Sequence, residues 1–135
     1  MLSNIIIMNK LIVDAAKDKI FLTIIVSKNI YTCSHENSKI NCEKLIILIN
    51  EFLKNNKSSL EDIDTTYINR GPGSYAGIRN SLATIKALFL TKKIDYYCFS
   101  FDDFKGIENA KYEDVPQLCE KFNVKKNLIN PIYLS

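Results

Sequence analysis

Residues 70–89, RGPGSYAGIRNSLATIKALF, constrain the fold more than any other stretch. Gly71, Pro72 and Gly73 must end any extended run before them, and an unbroken helical pattern starts at Ser74 and continues to about Lys92. A strand, a tight glycine turn and a helix in that order can form a phosphate cradle, so nucleotide motifs are the first test. A P-loop needs a lysine directly after its last glycine, but Ile78 follows Gly77. A dinucleotide fingerprint needs G-x-G-x-x-G, and these glycines fall one residue out of register. Pro72 also removes a backbone donor that a cradle would use. The turn therefore reads as structural: Gly71 and Gly73 allow angles closed to other residues, and Ser74 is a good helix cap. The first N–H groups of the helix remain a weak anion site.

The helix carries more information than the turn. At 100° per residue, Ile78, Leu82, Ile85 and Phe89 make one apolar stripe. Gly77, Ser81, Thr84 and Leu88 lie beside it, and Ala76, Asn80, Ala83 and Ala87 beyond those. Only Arg79 and Lys86 bring charge, in one narrow band. A helix packed on one side of a sheet needs an apolar stripe of about 100°; this one is apolar or small over more than half its circumference. An earlier helical pattern, residues 41–55, puts Leu45, Ile46, Ile49, Phe52 and Leu53 on one face. It leaves Ile47 among Glu43, Glu51 and Lys54, with Leu48 on the shoulder. Two helices on one sheet face, both with apolar surplus, mark a contact surface for another chain. That surface is expected at Ile47, Leu48, Ala76, Gly77, Asn80, Ser81, Ala83, Thr84, Ala87 and Leu88.

Around these helices the chain alternates. β-branched, apolar runs at residues 11–16 and 19–26 are separated only by Lys17 and Asp18, a hairpin spacing. Residues 29–36 complete a three-strand meander, and residues 65–70 and 95–100 are further strands. The order β-β-β-α-β-α-β requires an α/β fold with a mixed five-stranded sheet and helices packed on it. Residues 101–104 open a short helix, 105–114 read as a loop, PQLCEKF as a brief helix and NPIYLS as an extended end. At 135 residues the chain is one domain, and 47% hydrophobic with 24% charged residues is ordinary for a globular protein.

Composition excludes several classes. A net charge of +3, with Lys and Arg scattered, argues against direct RNA binding. Cys33, Cys42, Cys98 and Cys119 show no C-x-x-C spacing, and a single histidine, His35, leaves a zinc site short of ordinary ligands. The cysteines read as small buried hydrophobes in a reducing compartment. No apolar window is long enough for a membrane span, and MLSNIIIMNK lacks the basic region and cleavage site of a leader. A cytoplasmic protein is expected, and Met8 is an alternative start.

GPGSYAGIRNSLATIKAL resembles the signature G-P-G-S-[FY]-T-G-[IV]-R-x-G-[LI]-A-x-[AG]-K-[AG]-L of the TsaB family, which serves bacterial tRNA threonylcarbamoyladenosine synthesis. Gly71, Pro72, Gly73, Ser74, Tyr75, Gly77, Ile78, Arg79, Leu82, Ala83, Lys86 and Leu88 carry the match. The opening LIVDAA, the approach SLEDIDTTYINRGPGS and the tail PIYLS are similar to the family's first strand, lead-in and closing segment. The resemblance implies the first lobe of an actin-like ATPase (ribonuclease H-like) fold over residues 1–104. Residues 105–135 are then a short extension in place of the family's second lobe. It further implies a non-catalytic subunit that pairs with the catalytic subunit TsaD through the helices of this lobe. A small ATPase, TsaE, joins that assembly, and tRNA is met only through the complex. In isolation a homodimer is expected.

Departures from the pattern bear on chemistry. Ala15 and Ala76 replace threonines, Asn80 and Ser81 stand at a variable position and a glycine, and Asn41-Cys42-Glu43 replaces a family His-[ST]-[EQ]. The rival reading is a nucleotide-binding ATPase or metallohydrolase of the same fold. TsaD-like catalysis uses paired histidines on a metal, which one histidine cannot supply, so no catalytic residue and no metal site are expected. Asp14 is either a vestigial phosphate site, through magnesium, or a strand-end carboxylate capping a turn. With the second lobe absent from the pattern, no ATP or magnesium is expected as cofactor.

Overall fold

The computed structural model describes residues 9–134; the alternative start at Met8 lies outside them. Five strands form one mixed sheet: β1 (Asn9–Asp14), β2 (Lys19–Val26), β3 (Asn29–Glu36), β4 (Ile63–Asn69) and β5 (Asp95–Phe99), in spatial order β3-β2-β1-β4-β5. The meander β1-β2-β3 is antiparallel, and β4 and β5 join it in parallel, as the two helical crossovers require.

β1 ends two residues earlier than its apolar run. Asp14 accepts the Ala16 N–H on its own Oδ1 at 3.0 Å, and this local turn takes Ala15 and Ala16 out of the strand. The helix expected over residues 41–55 is two helices, α1 (Lys39–Glu43) and α2 (Leu45–Asn55), with the break at Lys44. Side chains hold the first turn in its own direction. Asn41 Nδ2 donates to Glu36 O at 2.8 Å, the Cys42 thiol donates to Asn37 Oδ1 at 2.7 Å, and Asn37 Nδ2 donates to Ala15 O and Lys17 O. α3 (Tyr75–Lys92) has the expected extent, with Ser74 Oγ accepting the Gly77 N–H.

Alternation along the strands supplies two apolar faces. Leu11, Val13, Leu22, Ile24, Ile68 and Cys98 pack under α2 and α3 against Leu45, Ile49, Leu53, Ile78, Leu82 and Ile85. Ile12, Tyr67 and Phe99 point the other way, and the C-terminal segment covers them with Phe104, Val115, Leu118 and Cys119. That segment consists of 3-10 turns at Phe101–Asp103 and Tyr112–Asp114 followed by α4 (Val115–Lys121). Packing therefore runs through the expected boundary at residue 104 without a break. Beyond α4 the tail clamps the β5 edge. Asn127 exchanges two bonds with the Tyr96 backbone, at 2.8 and 2.9 Å, and Ile132 and Leu134 donate to Arg70 O and Gly73 O.

Candidate partner interface and strand-end carboxylate

The glycine turn is a packing joint. Gly71 has φ +116°, and a Cβ there would strike the Ile132 carbonyl. A Cβ on Gly73 or Gly77 would run into the backbone oxygens of Ala16 and Ala15, because the β1–β2 turn sits directly on the start of α3. Ser74 N–H donates to Ala16 O at 2.8 Å, and Asn69 Oδ1 accepts the Gly71 N–H at 2.9 Å. Arg70, just before the turn, binds Asp103 through Nε (3.2 Å) and Nη2 (2.6 Å) and the Asn130 carbonyl through Nη1 (3.1 Å). Signature residues Gly71, Pro72, Gly73, Ser74 and Gly77 thus join three parts of the chain. Arg79, by contrast, is exposed on α3.

The expected contact surface divides. Ile47 is 51% exposed, Ala76, Ala83 and Ala87 are exposed, and Asn80 and Thr84 are half-buried. Leu48, Gly77, Ser81 and Leu88 are buried, which corrects their assignment to the surface. Leu48 and Leu88 belong to the core, Gly77 is pressed against Ala15, and the Ser81 hydroxyl is satisfied by Ile78 O at 3.0 Å. What remains is a ridge with an apolar groove of about 480 Å³ beside it, lined by Ile46, Leu60, Ala83, Thr84, Ala87 and the edge of Leu88. On the other flank of Ala83, Leu82 of α3 and Ile129 and Tyr133 of the tail wall a second groove of about 280 Å³, and Tyr133 meets Tyr75 at 4.8 Å between centroids. The tail therefore borders one flank of α3 and takes no part in the groove towards α2.

Two exposed apolar residues of this layer escaped the sequence reading, Ile40 (69%) and Leu90 (68%). Leu90 follows Ala83 and Ala87 at helical spacing, so the period did mark it. Ile40 lay outside the single helix expected there.

Asp14 is 8% exposed at the end of β1. Its Oδ1 accepts the Ala16 N–H, and its Oδ2 accepts the Tyr112 O–H at 2.6 Å. Burial first, and then the neighbouring Asp14 charge, push the Tyr112 phenol far above its ordinary range, so it stays a donor. Tyr112 also packs on Phe21 and Phe101. Sequence reasoning had no signal for this pair, whose members stand 98 residues apart. The turn-capping role of Asp14 is what the geometry displays. Of the cysteines, Cys42, Cys98 and Cys119 are buried and Cys33 is half-buried. Burial holds Cys98 at about 11 and Cys119 at about 12, so both are protonated thiols near neutrality. His35 is half-buried on β3, 3.8 Å from Cys33 Sγ. No helix among the described residues is long and apolar enough to cross a membrane.

A family model described as TsaD, tRNA N6-adenosine threonylcarbamoyltransferase, matches residues 35–100, from the end of β3 through the helical layer to the end of β5. A tRNA threonylcarbamoyladenosine biosynthesis protein TsaB of Buchnera aphidicola subsp. Schizaphis graminum is 30% identical over 90 residues, covering 67% of this chain and 43% of the relative. The protein of the same name from Buchnera aphidicola subsp. Baizongia pistaciae is 35% identical over 65 residues, covering 42% of this chain and 29% of its own length. The chain thus matches under half the length of these relatives. Among solved structures, YeaZ from Pseudomonas aeruginosa superposes with a TM-score of 0.64 at 15% identity, over 69% of this chain and 44% of that one. Thermus thermophilus RuvC in complex with Holliday junction substrate gives 0.52 at 11% identity, over 93% and 85%. At such identities the two structures speak for the fold alone: an actin-like, ribonuclease H-like α/β sheet.

Proposed function

Since the chain belongs to the TsaB family across the stretch it shares with its relatives, we propose that it is a non-catalytic subunit for making threonylcarbamoyladenosine in tRNA, beside the anticodon. It docks on a TsaD-like catalytic subunit through α2 and α3. A TsaE-like ATPase is a further member of the assembly, and tRNA is met only within it. The open groove between α2 and α3 carries this reading. It is apolar, lies beside the exposed small residues Ala83 and Ala87, and is left uncovered by the chain's own tail. Small residues on such a ridge let a second helix approach closely, and an apolar groove of that kind is characteristic of an interaction surface.

No bound nucleotide belongs to this reading. Asp14, the carboxylate best placed for magnesium and phosphate, already has both oxygens engaged by Ala16 and Tyr112. The reading is tested by size-exclusion chromatography with light scattering, on the chain alone and mixed with the TsaD-like subunit. A heterodimer is expected. Ala83→Arg should abolish it and leave the far-UV dichroism and melting unchanged, because Ala83 is exposed. A chain that ignores the TsaD-like subunit removes the reading, and micromolar binding of magnesium-ATP would favour the nucleotide-binding rival.

A further inference from the structure

We infer that a cavity on the sheet face opposite α2 and α3 binds a small zwitterion, an α-amino acid, with its carboxylate at Lys10 and Tyr67 and its ammonium at Glu120. The cavity is about 310 Å³ and lies between β1, β4, β5 and α4. It is separate from the docking surface and from Asp14, since Lys10 stands near the start of β1 and Asp14 ends that strand. Strand alternation builds its floor. Ile12 and Tyr67 face α4, and Lys10, on the same side of β1 as Ile12, projects from the same face. Tyr67 and Tyr97 are register partners on β4 and β5, and their rings stack at 5.3 Å and 9°. The opposite wall is Pro116, Cys119 and Glu120 of α4, with Asn123 and Val124 just beyond it. Asn123, at φ +55°, turns the chain back, and Lys126 then bridges Tyr97.

The polar groups of this cavity have no partners. Two other buried or half-buried phenols have acceptors: Tyr96 donates to Asn127 O at 3.0 Å and Tyr112 to Asp14 Oδ2 at 2.6 Å. Tyr67 is only 5% exposed, has no acceptor among the described residues, and opens onto the cavity. Burial pushes its phenol far above the ordinary range, so it remains a donor. Lys10 and Glu120 line the same space, yet they pair neither with each other nor with any other charged residue among those described. A buried hydroxyl without an acceptor, beside a cation, fits a carboxylate, because bonds to a charged acceptor are the strong ones. The Glu120 carboxylate fits an ammonium for the same reason. One molecule carrying both ends, with a small body against Pro116 and Val124, satisfies all three groups. A single ion leaves one charge unmatched, Glu120 repels a multiply charged anion such as a nucleotide, and an apolar ligand leaves the Tyr67 hydroxyl unpaired.

Heteronuclear NMR titration of the full chain with the standard L-amino acids tests this, each binder being compared with its amine and its acid alone (for L-alanine, ethylamine and propionate). At least one amino acid should bind saturably and shift the amides around Lys10, Tyr67, Tyr97 and Glu120, about tenfold more tightly than either single-charge analogue. Tyr67→Phe keeps the stacked ring, removes only the hydroxyl, and should weaken binding about tenfold. Lys10 is half-buried and Glu120 exposed; Lys10→Met and Glu120→Gln should each weaken it as well, and supply the test if Tyr67→Phe does not fold. Affinity for the TsaD-like subunit should be unchanged in all three variants, which separates this site from the docking surface. No saturable shift with any amino acid, or shifts confined to another part of the chain, overturns the inference. So does an acid or amine that binds as tightly as its amino acid, or an affinity that none of the three substitutions lowers.

Discussion

Gly77 shows how little room the joint between sheet and helix leaves. A Cβ there would enter the space of Ala15 O, which is backbone and cannot swing aside. Gly77→Ala should therefore lower stability by roughly 1–3 kcal/mol, seen as a lower urea midpoint with an unchanged slope. Buried thiols make a second prediction. Cys98 and Cys119 ordinarily ionise near 9.0 but are held at about 11 and about 12 in the folded chain, chiefly by burial. Folding thus has no dependence on them below that ordinary value. Above it the unfolded chain releases the protons first, and stability falls as pH climbs towards the folded values. Urea midpoints should begin to drop just above pH 9.0, and Cys98→Ala/Cys119→Ala should make that drop shallower, leaving the part due to Cys33 and Cys42, whose thiols burial also raises. A drop between pH 9.0 and 10.0 as steep in the double variant as in wild type would assign the start of the alkaline limb to Cys33 and Cys42 instead. The need for glycine at 71 was legible from the turn, whereas Gly73 has no positive φ and is required instead by Ala16 O, 57 positions away in the chain. The need at 77 was not legible either, since its obstacle is 62 positions away in the chain.

Among the elements, the tail is the one whose place depends on a few polar ties. Arg70 holds Asp103 and the Asn130 carbonyl, and Asn127 holds the β5 edge. Arg70→Met removes the first set while keeping the aliphatic stem. Limited proteolysis should then clip residues 125–134 faster than in wild type, read by intact-mass spectrometry, because a segment with few buried apolar contacts opens locally. Equal rates would show that Asn127 and the Ile132 and Leu134 backbone bonds suffice. Helical periodicity located α3 and the apolar face of α2 correctly. It missed the break at Lys44, where Asn41 and Cys42 of α1 bond back to Glu36 and Asn37, and Asn37 in turn is tied to the β1–β2 turn at Ala15 and Lys17.

For the whole molecule, the decisive feature is that the sheet has two apolar faces and roughly the last quarter of the chain is needed to cover one of them. A chain ending after residue 104 would expose Ile12, Tyr67 and Phe99, which Val115, Leu118 and Cys119 now cover. It should lose cooperative thermal unfolding and aggregate. A truncated chain that melts as sharply as the full one would make residues 105–134 an accessory instead. Local pattern was enough to specify the order of strands and helices along the chain, the two crossovers and the turn at Gly71, because hydrophobic period and turn chemistry act over neighbouring residues; the spatial order β3-β2-β1-β4-β5 came only with the assembled sheet. Which apolar and small residues face outward was decided only by three-dimensional packing. Leu48, Ser81 and Leu88 look like surplus on a helical wheel, yet they are consumed by α2, α3 and the sheet curving around them, while Ala83, Ala87 and Leu90 are left outside. The pairing of Asp14 with Tyr112 has the same origin, since burial and contact are properties of the assembled layers and leave no mark at short range in the chain.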